Sequence, residues 1–492
     1  MSRLIKLLLA ACLLSACGVR QPSEYSESND SIVIYPDYTG VTIPKNIAPL
    51  HFMIETDGEE YVTTLTAGSE QFHYGGKEVC PDAKDWHRLT SQGNITVRVF
   101  VRNDGRWKLH PEFSINVSPD EIDPYITYRL ISPSYVAYEN LTIKQRCLEN
   151  YDETLVYGNM INTTEKDGQC INCHFTQNGN PDYLQFHVRQ AMGGTIIAQK
   201  GNIEKIDMKL DSAVSGGVYP AWHPTEPLIA YSTNKTGQSF HTLDLNKIEV
   251  QDTYSDLILY DIPANKVYPL ERDSDVLDCF PTWSPDGKYL YYCSASYTHI
   301  DTTVVRDEDI IRNYQKMRYN LYRRSFDIDT RSFGERELIY DAEHDSLSAT
   351  EPKISPDGRW LMFARASYGI FHIWHKDADL YMIDLCDSVN TPQEALGLNS
   401  GSVEAWHCWS HDGKWVVFSS RREDGNYTRP YFAHHDGNGK FTKPFPLPQD
   451  NPNYHRDLLL SFNIPEFMTG PVTISPQEFA HCIKKEAKKA NP

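Results

Sequence analysis

The sequence predicts an all-β protein: an N-terminal β-sandwich, then a β-propeller, with a short, chemically distinct segment between them. Three observations carry this reading. Alternating apolar and polar runs closed by turn residues fill positions 31–135. One hairpin pattern recurs four times in the second half of the chain. Thirty Tyr, 29 Pro and 28 Gly in 492 residues favour strands and turns. Apolar residues make up 40%, enough for sizeable cores, and the length suggests about three domains. Lys and Arg number 47 against 66 Asp and Glu, a formal charge of −19 with no basic stripe, which speaks against a nucleic-acid partner.

The first residues address the compartment. Arg3 and Lys6 precede an apolar run from Leu7 to Leu14, too short to span a bilayer and typical of an export signal. Its ending, Leu14-Ser15-Ala16-Cys17, resembles a bacterial lipobox. That resemblance implies cleavage after residue 16, lipidation of Cys17, a tether over 17–30 and attachment to the membrane through the lipid. Gly18 carries no acidic retention signal, so the expected location is the bacterial cell envelope, at the outer membrane facing the periplasm.

Within the sandwich, Ile95-Thr96-Val97-Arg98-Val99-Phe100-Val101 alternates, Asn103-Asp104-Gly105 turns, and the run ending Phe113-Ser114-Ile115-Asn116-Val117 alternates again. An immunoglobulin-like sandwich serving as spacer or docking module is expected. The repeats follow. Trp222-His223-Pro224, Trp283-Ser284-Pro285, Ile354-Ser355-Pro356 and Trp409-Ser410-His411 align without gaps. Three continue with Asp-Gly (Asp286-Gly287, Asp357-Gly358, Asp412-Gly413), and all four reach an aromatic seven residues on: Tyr231, Tyr292, Phe363 and Phe418. Each unit is a tight hairpin with an apolar second strand, and such units bury both faces only by stacking radially. The signature resembles the TolB-type propeller over roughly 195–450, which implies four to six blades, with five favoured. Gly194 to Ala198 is expected to begin an incomplete blade that the tail, 451–492, closes; the end of the tail reads as a solvated helix.

Between the two domains, in segment 136–194, lies Cys170-Ile171-Asn172-Cys173-His174. Cys-x-x-Cys-His looks like the attachment site of a c-type haem: both thiols bond the macrocycle and the imidazole ligates its iron. With 11 Cys and 18 His in the chain, roughly 0.01 such motifs arise by chance. His187 is the expected sixth ligand, with Met192 and Met160 as alternatives. A bare Cys-x-x-Cys also suits a disulfide, a redox pair or half a zinc site, although no second Cys-x-x-Cys is present.

Cys279 and Cys293 flank the turn at Asp286 symmetrically, which places them opposite each other on one hairpin, where a disulfide or two free core thiols are equally compatible. His223 and His407 read as structural residues at strand ends, and the His372/His375 cluster resembles a metal site only superficially. No Gly-x-Ser-x-Gly elbow and no phosphate-binding loop occurs, and no catalytic residue is assigned. The leading expectation is an envelope lipoprotein carrying one covalent haem c, working in electron transfer or haem-dependent sensing through a protein partner docked on the propeller. The alternatives are a non-catalytic propeller scaffold binding protein, peptide or glycan, in the periplasm or at the cell surface, and an accessory factor of cytochrome c maturation.

Overall fold

A computed structural model describes residues 19–132, 141–210, 214–270 and 273–492. The export signal and Cys17, the expected lipidation site, lie outside the described residues. The chain divides into two compact units, one made of residues up to Glu121 with Pro448–Asp457, the other of Ile122–Leu447 with Leu458–Pro492.

In the first unit the long strand Ile95–Asn103 is the spine of the main sheet. Ile95, Val97, Val99 and Val101 are buried, as their alternation requires. The strand pairs antiparallel with Glu60–Ala67, with Phe113–Ser118 and, through a two-residue turn at Asp104-Gly105, with Arg106–Leu109. Both turn residues have positive φ (49° and 72°), the backbone twist that matches a tight hairpin. A small three-stranded sheet (Ile34–Tyr35, Phe52–Ile54, Glu78–Val79) completes the strands.

The unit departs from an immunoglobulin-like sandwich in three ways. Ser26–Glu27 and Thr42–Pro44 pair in parallel with their neighbours. Ala83–Gln92 is a helix, started by Asp82, whose carboxylate accepts from Asp85 N at 2.8 Å, and held by buried Trp86 and Leu89. The unit also ends near 121 rather than 135, because Tyr125–Ile131 belongs to the propeller. Residues 448–457 return to this unit, where Arg456 pairs with Glu55 and lies 3.4 Å from the centre of the Tyr35 ring.

The second unit is a propeller of six blades, one more than favoured. In five of them consecutive hairpins build the sheet outwards from the axis. Their innermost strands are Cys170–Gln177, Val218–Trp222, Val276–Trp283, Ser348–Ile354 and Glu404–Trp409. The sixth blade joins the innermost strand Ser461–Met468 to Tyr125–Ile131, Thr142–Cys147 and Glu153–Gly158. Strands from both ends of the unit thus share one sheet, and the ring closes by hydrogen bonds. Gly194–Gln199 is therefore the third strand of a complete blade. Segment 136–194 is not a separate insert between domains, since it supplies strands to two blades.

The tail is folded rather than solvated. Ser475 and Glu478 form a capping box at the start of helix Pro476–Lys484, and Phe479, Ala480, Cys482 and Ile483 are buried. Lys488–Lys489 then adds a parallel fifth strand to the blade that starts with Cys170–Gln177.

The repeat chemistry works as its residue types suggest. In the hairpin at Asp286, Ser284 Oγ donates to the Asp286 carboxylate at 2.6 Å, and that carboxylate accepts from Lys288 N at 3.1 Å. Gly287 supplies the positive φ of 70°. Ser355/Asp357 and Ser410/Asp412 repeat the arrangement. In the first repeat His223 takes over: its Nδ1 accepts from Thr225 N and Glu226 N, and its Nε2 donates to Gly287 O at 3.2 Å. Tyr231, Tyr292, Phe363 and Phe418 are wholly buried between blades. Cys279 and Cys293 are register partners, as expected, but both are free thiols. Cys293 Sγ donates to Cys279 O at 3.3 Å, while Cys279 Sγ faces Ser232 and Asn234 of the preceding blade.

Candidate functional site

Every innermost strand carries a β-bulge at the same place. Its first residue has a positive φ of 48–58°: Cys173, Tyr219, Phe280, Glu351, Trp406 and Ile464. The ladder register slips around each of these positions. The next residue is Pro in four blades (Pro220, Pro281, Pro352, Pro465) and His in two (His174, His407). A bulge leaves a main-chain N–H outside the ladder, and proline has none to lose. The pair Cys173-His174 therefore stands where other blades place Phe280-Pro281 or Ile464-Pro465.

This placement decides what the Cys-x-x-Cys-His residues hold. Cys173 is 5% exposed, and its thiol faces the Tyr219 main chain of the following blade. His174 is 2% exposed and faces Thr127 and Ile464 of the blade on the other side. Burial and the nearby Arg129 guanidinium push His174 down to about 3, so its ring is neutral. Haem attachment needs two thiols and the imidazole on one side of a short turn, whereas here Cys173 and His174 sit in a bulged strand and face different neighbouring blades. The inner cavity they line measures about 50 Å³, while pockets for cofactor-sized ligands start near 300 Å³. These residues do not fit a c-type haem in this fold.

Nor does the strand bring the thiols together. Three strand residues place the Cα atoms of Cys170 and Cys173 roughly 9–10 Å apart, beyond the ~7 Å reach of a disulfide. His187 shares the register position of Asn172, and its Nδ1 lies 3.1 Å from Thr195 Oγ1. Burial and Arg189 keep its pKa low. Met160 is exposed, and Met192 packs against the apolar core beside Phe186. None of the three expected sixth ligands is brought to His174. Among the described residues, no group of three or more His, Cys, Asp or Glu is arranged to hold a metal.

What the bulges do assemble is an axial channel in two layers. The inner layer is the ring of six positive-φ residues, which lines the 50 Å³ cavity. Two residues further along each strand comes the second ring: Phe175, Ala221, Thr282, Lys353, Cys408 and Glu466. It forms the floor of an open funnel of about 360 Å³. Trp222, Trp283 and Trp409 stand in the funnel wall, and Trp283 Nε1 donates to Ala221 O at 3.0 Å.

Lys353 and Phe175 belong to opposite blades, and Lys353 Nζ lies 4.7 Å from the centre of the Phe175 ring. The lysine therefore spans the axis between funnel and cavity, held by a cation–π contact. Two carboxyl groups flank it. Glu351 accepts from Trp406 N at 2.7 Å through Oε2, but its Oε1 is buried without a partner, as is Glu466 Oε2. Burial pushes both up to about 8, against the pull of Lys353. His407, the other bulge histidine, donates from Nε2 to Met362 O at 3.1 Å in the neighbouring blade, while its Nδ1 is buried without a partner.

Motif reading missed Glu351, Lys353 and Glu466. Their signal lay in the repeat itself, one step upstream of the residues that defined it. Where other blades have Tyr219-Pro220-Ala221 or Phe280-Pro281-Thr282, this chain has Glu351-Pro352-Lys353 and Ile464-Pro465-Glu466. A charge where the repeat is otherwise apolar or small marks a site rather than a scaffold.

No family model and no curated protein matches the chain. Solved structures similar to it include TolB from Acinetobacter baumannii, at 12% identity and a TM-score of 0.43, covering 78% of this chain and 85% of that one. An oligogalacturonate lyase in complex with manganese is 12% identical, with a TM-score of 0.37 over 65% of this chain and 73% of that one. Oligogalacturonate lyase from Vibrio parahaemolyticus is 12% identical, with a TM-score of 0.37 over 84% of this chain and all of that one.

Proposed function

We propose that this protein is an envelope lipoprotein whose propeller acts as a binding module, taking its ligand through the funnel on the axis. The observation that carries the reading is the funnel with the cavity beneath it, which share Phe175, Lys353 and Glu466 in their lining. An open funnel with Trp222, Trp283 and Trp409 in its wall has Lys353 and Glu466 in its floor, and Glu351 lines the inner cavity beneath. A concave, mostly apolar site with a few convergent polar groups and strongly shifted carboxyls is the usual form of a ligand site. Cys17 at the end of the export signal supports lipid attachment to the envelope membrane.

Thr282→Phe tests this by filling the funnel floor from a residue that only lines it. Amines, carboxylates and sugar alcohols are screened by thermal shift against wild type and variant. At least one class is expected to raise the melting temperature of wild type while leaving Thr282→Phe unmoved. If no compound distinguishes the two proteins, and the variant melts as a folded protein, the funnel is not the site.

A further inference from the structure

Glu351 and Glu466 bring two unpartnered acceptor oxygens to the same channel, at 3% and 5% exposure. His407 Nδ1, in the lining of the same cavity, also lacks a hydrogen-bond partner, while its Nε2 donates to Met362 O. Buried acceptors left in this state are costly unless something donates to them. Lys353 does not: among the described residues it forms a hydrogen bond or ion pair with neither carboxyl, and it rests on Phe175 instead. The cavity of about 50 Å³ has room for one or two water-sized groups. Above it, the funnel of about 360 Å³ has room for an aliphatic stem, with Trp222, Trp283 and Trp409 in its lining.

We propose that the channel binds a primary ammonium group on an unbranched stem, with the ammonium donating to Glu351, Glu466 and His407 and the stem lying in the funnel. This deepens the funnel reading above and rests on it. Three N–H donors meet three acceptors in a space that excludes branched or bulky heads. A free diamine and a lysyl side chain share this chemistry.

Binding is coupled to a proton. With both carboxyls pushed up to about 8, most are protonated at neutral pH. An arriving ammonium keeps its own proton, a glutamic acid releases one to solvent, and the resulting carboxylate pairs with the cation. Affinity therefore rises with pH until the carboxyls ionise unaided. Lys353 opposes the incoming charge, so removing its charge strengthens binding.

The test is titration calorimetry on the mature protein with butylammonium, 1-butanol and butyrate at pH 6.5 and 8.5. Butylammonium alone is expected to bind, about five-fold or more tighter at pH 8.5, with proton release shown by two buffers of different ionisation heat. Glu466→Gln is expected to weaken it about ten-fold, and Lys353→Met to tighten it. Cadaverine and N-acetyl-lysine amide then separate a free diamine from a lysyl side chain. Binding of butyrate or butanol without butylammonium overturns the ammonium proposal and leaves the funnel reading standing. Glu466-dependent binding of manganese or zinc in place of butylammonium overturns it too. If all probes fail and Thr282→Phe also distinguishes nothing, both readings fall. Should Glu466→Gln not fold, the pH dependence of the wild type decides alone.

Discussion

Replacing Glu466 with Gln isolates what one buried carboxyl does to the stability of the propeller. The side chain keeps its shape and loses its ionisation. In the folded protein burial pushes this carboxyl from 4.5 up to about 8, so the folded state holds its proton more tightly than the unfolded chain does. A group of this kind contributes stability in full below its unfolded pKa, and the contribution is lost as pH rises through the folded one. At about 1.36 kcal/mol per pKa unit, wild type loses about 3 kcal/mol through Glu466 between pH 5 and pH 8. Glu351 acts in the same direction over the same window. Asp252, Asp278 and Asp379, pushed up to about 6, act at lower pH. Denaturant unfolding of wild type and Glu466→Gln at pH 5, 6.5 and 8 reads the difference. The variant is expected to gain about 3 kcal/mol on wild type from the lowest pH to the highest. A stability difference that stays constant within about 0.5 kcal/mol over this range would refute the claim that the carboxyl is buried and unpaired.

Expressed in a host with intact cytochrome c maturation, the protein is expected to show no covalent haem in a pyridine haemochrome spectrum; a haem band lost in Cys170→Ala/Cys173→Ala would show that the Cys170–Gln177 strand refolds around the cofactor. His223→Ala removes a side chain that accepts two main-chain N–H groups and contacts Gly287 O. It is expected to cost about 2–3 kcal/mol in denaturant unfolding, and a loss under about 0.5 would contradict that role. Asp286→Ala removes one turn carboxylate near the surface and is expected to cost only about 1 kcal/mol in the same assay. Brief alkylation of the native protein, mapped by mass spectrometry, should label the exposed Cys80 and Cys386 and spare Cys279 and Cys293, whose thiols burial pushes well up; rapid labelling of Cys279, or a Cys279–Cys293 disulfide, would count against the packing described.

Local pattern reached far into this fold. The Ser-Pro-Asp-Gly turns follow from hydrogen bonds within five residues, and each behaves as its composition predicts. The aromatics seven residues on are buried because strand alternation sends them inward. The opposition of Cys279 and Cys293 came from the hairpin length together with the bulge at Phe280, which shifts the register by one residue between the turn and Cys279. The helix over Ala83–Gln92 was readable too, from Asp82 as cap and the apolar pair Trp86 and Leu89, but it was hidden by the strand-like runs on either side.

Blade number was not legible, because two of the six blades lack the hairpin signature that the other four share. One begins Cys170–Gln177, with Thr176-Gln177-Asn178-Gly179 where another blade places Trp283-Ser284-Pro285-Asp286. The other joins strands more than 300 residues apart in the chain, such as Ile126 and Phe467. No short-range pattern records that pairing. The surroundings of Cys-x-x-Cys-His were illegible for a related reason: the same five letters serve a haem turn or a bulged strand, and only the neighbouring blades decide which.

The sequence by itself determined the turn chemistry, the strand alternation and the stacking of hairpins into a propeller, since each rests on contacts between near neighbours along the chain. Tertiary structure alone decided that the ring has six blades, that Cys173 and His174 face different neighbours, and that Glu351, Lys353 and Glu466 meet on one axis. These residues come from separate blades. Their shifted carboxyls and the lysine that spans the channel arise from burial and proximity, which exist only once the ring has closed.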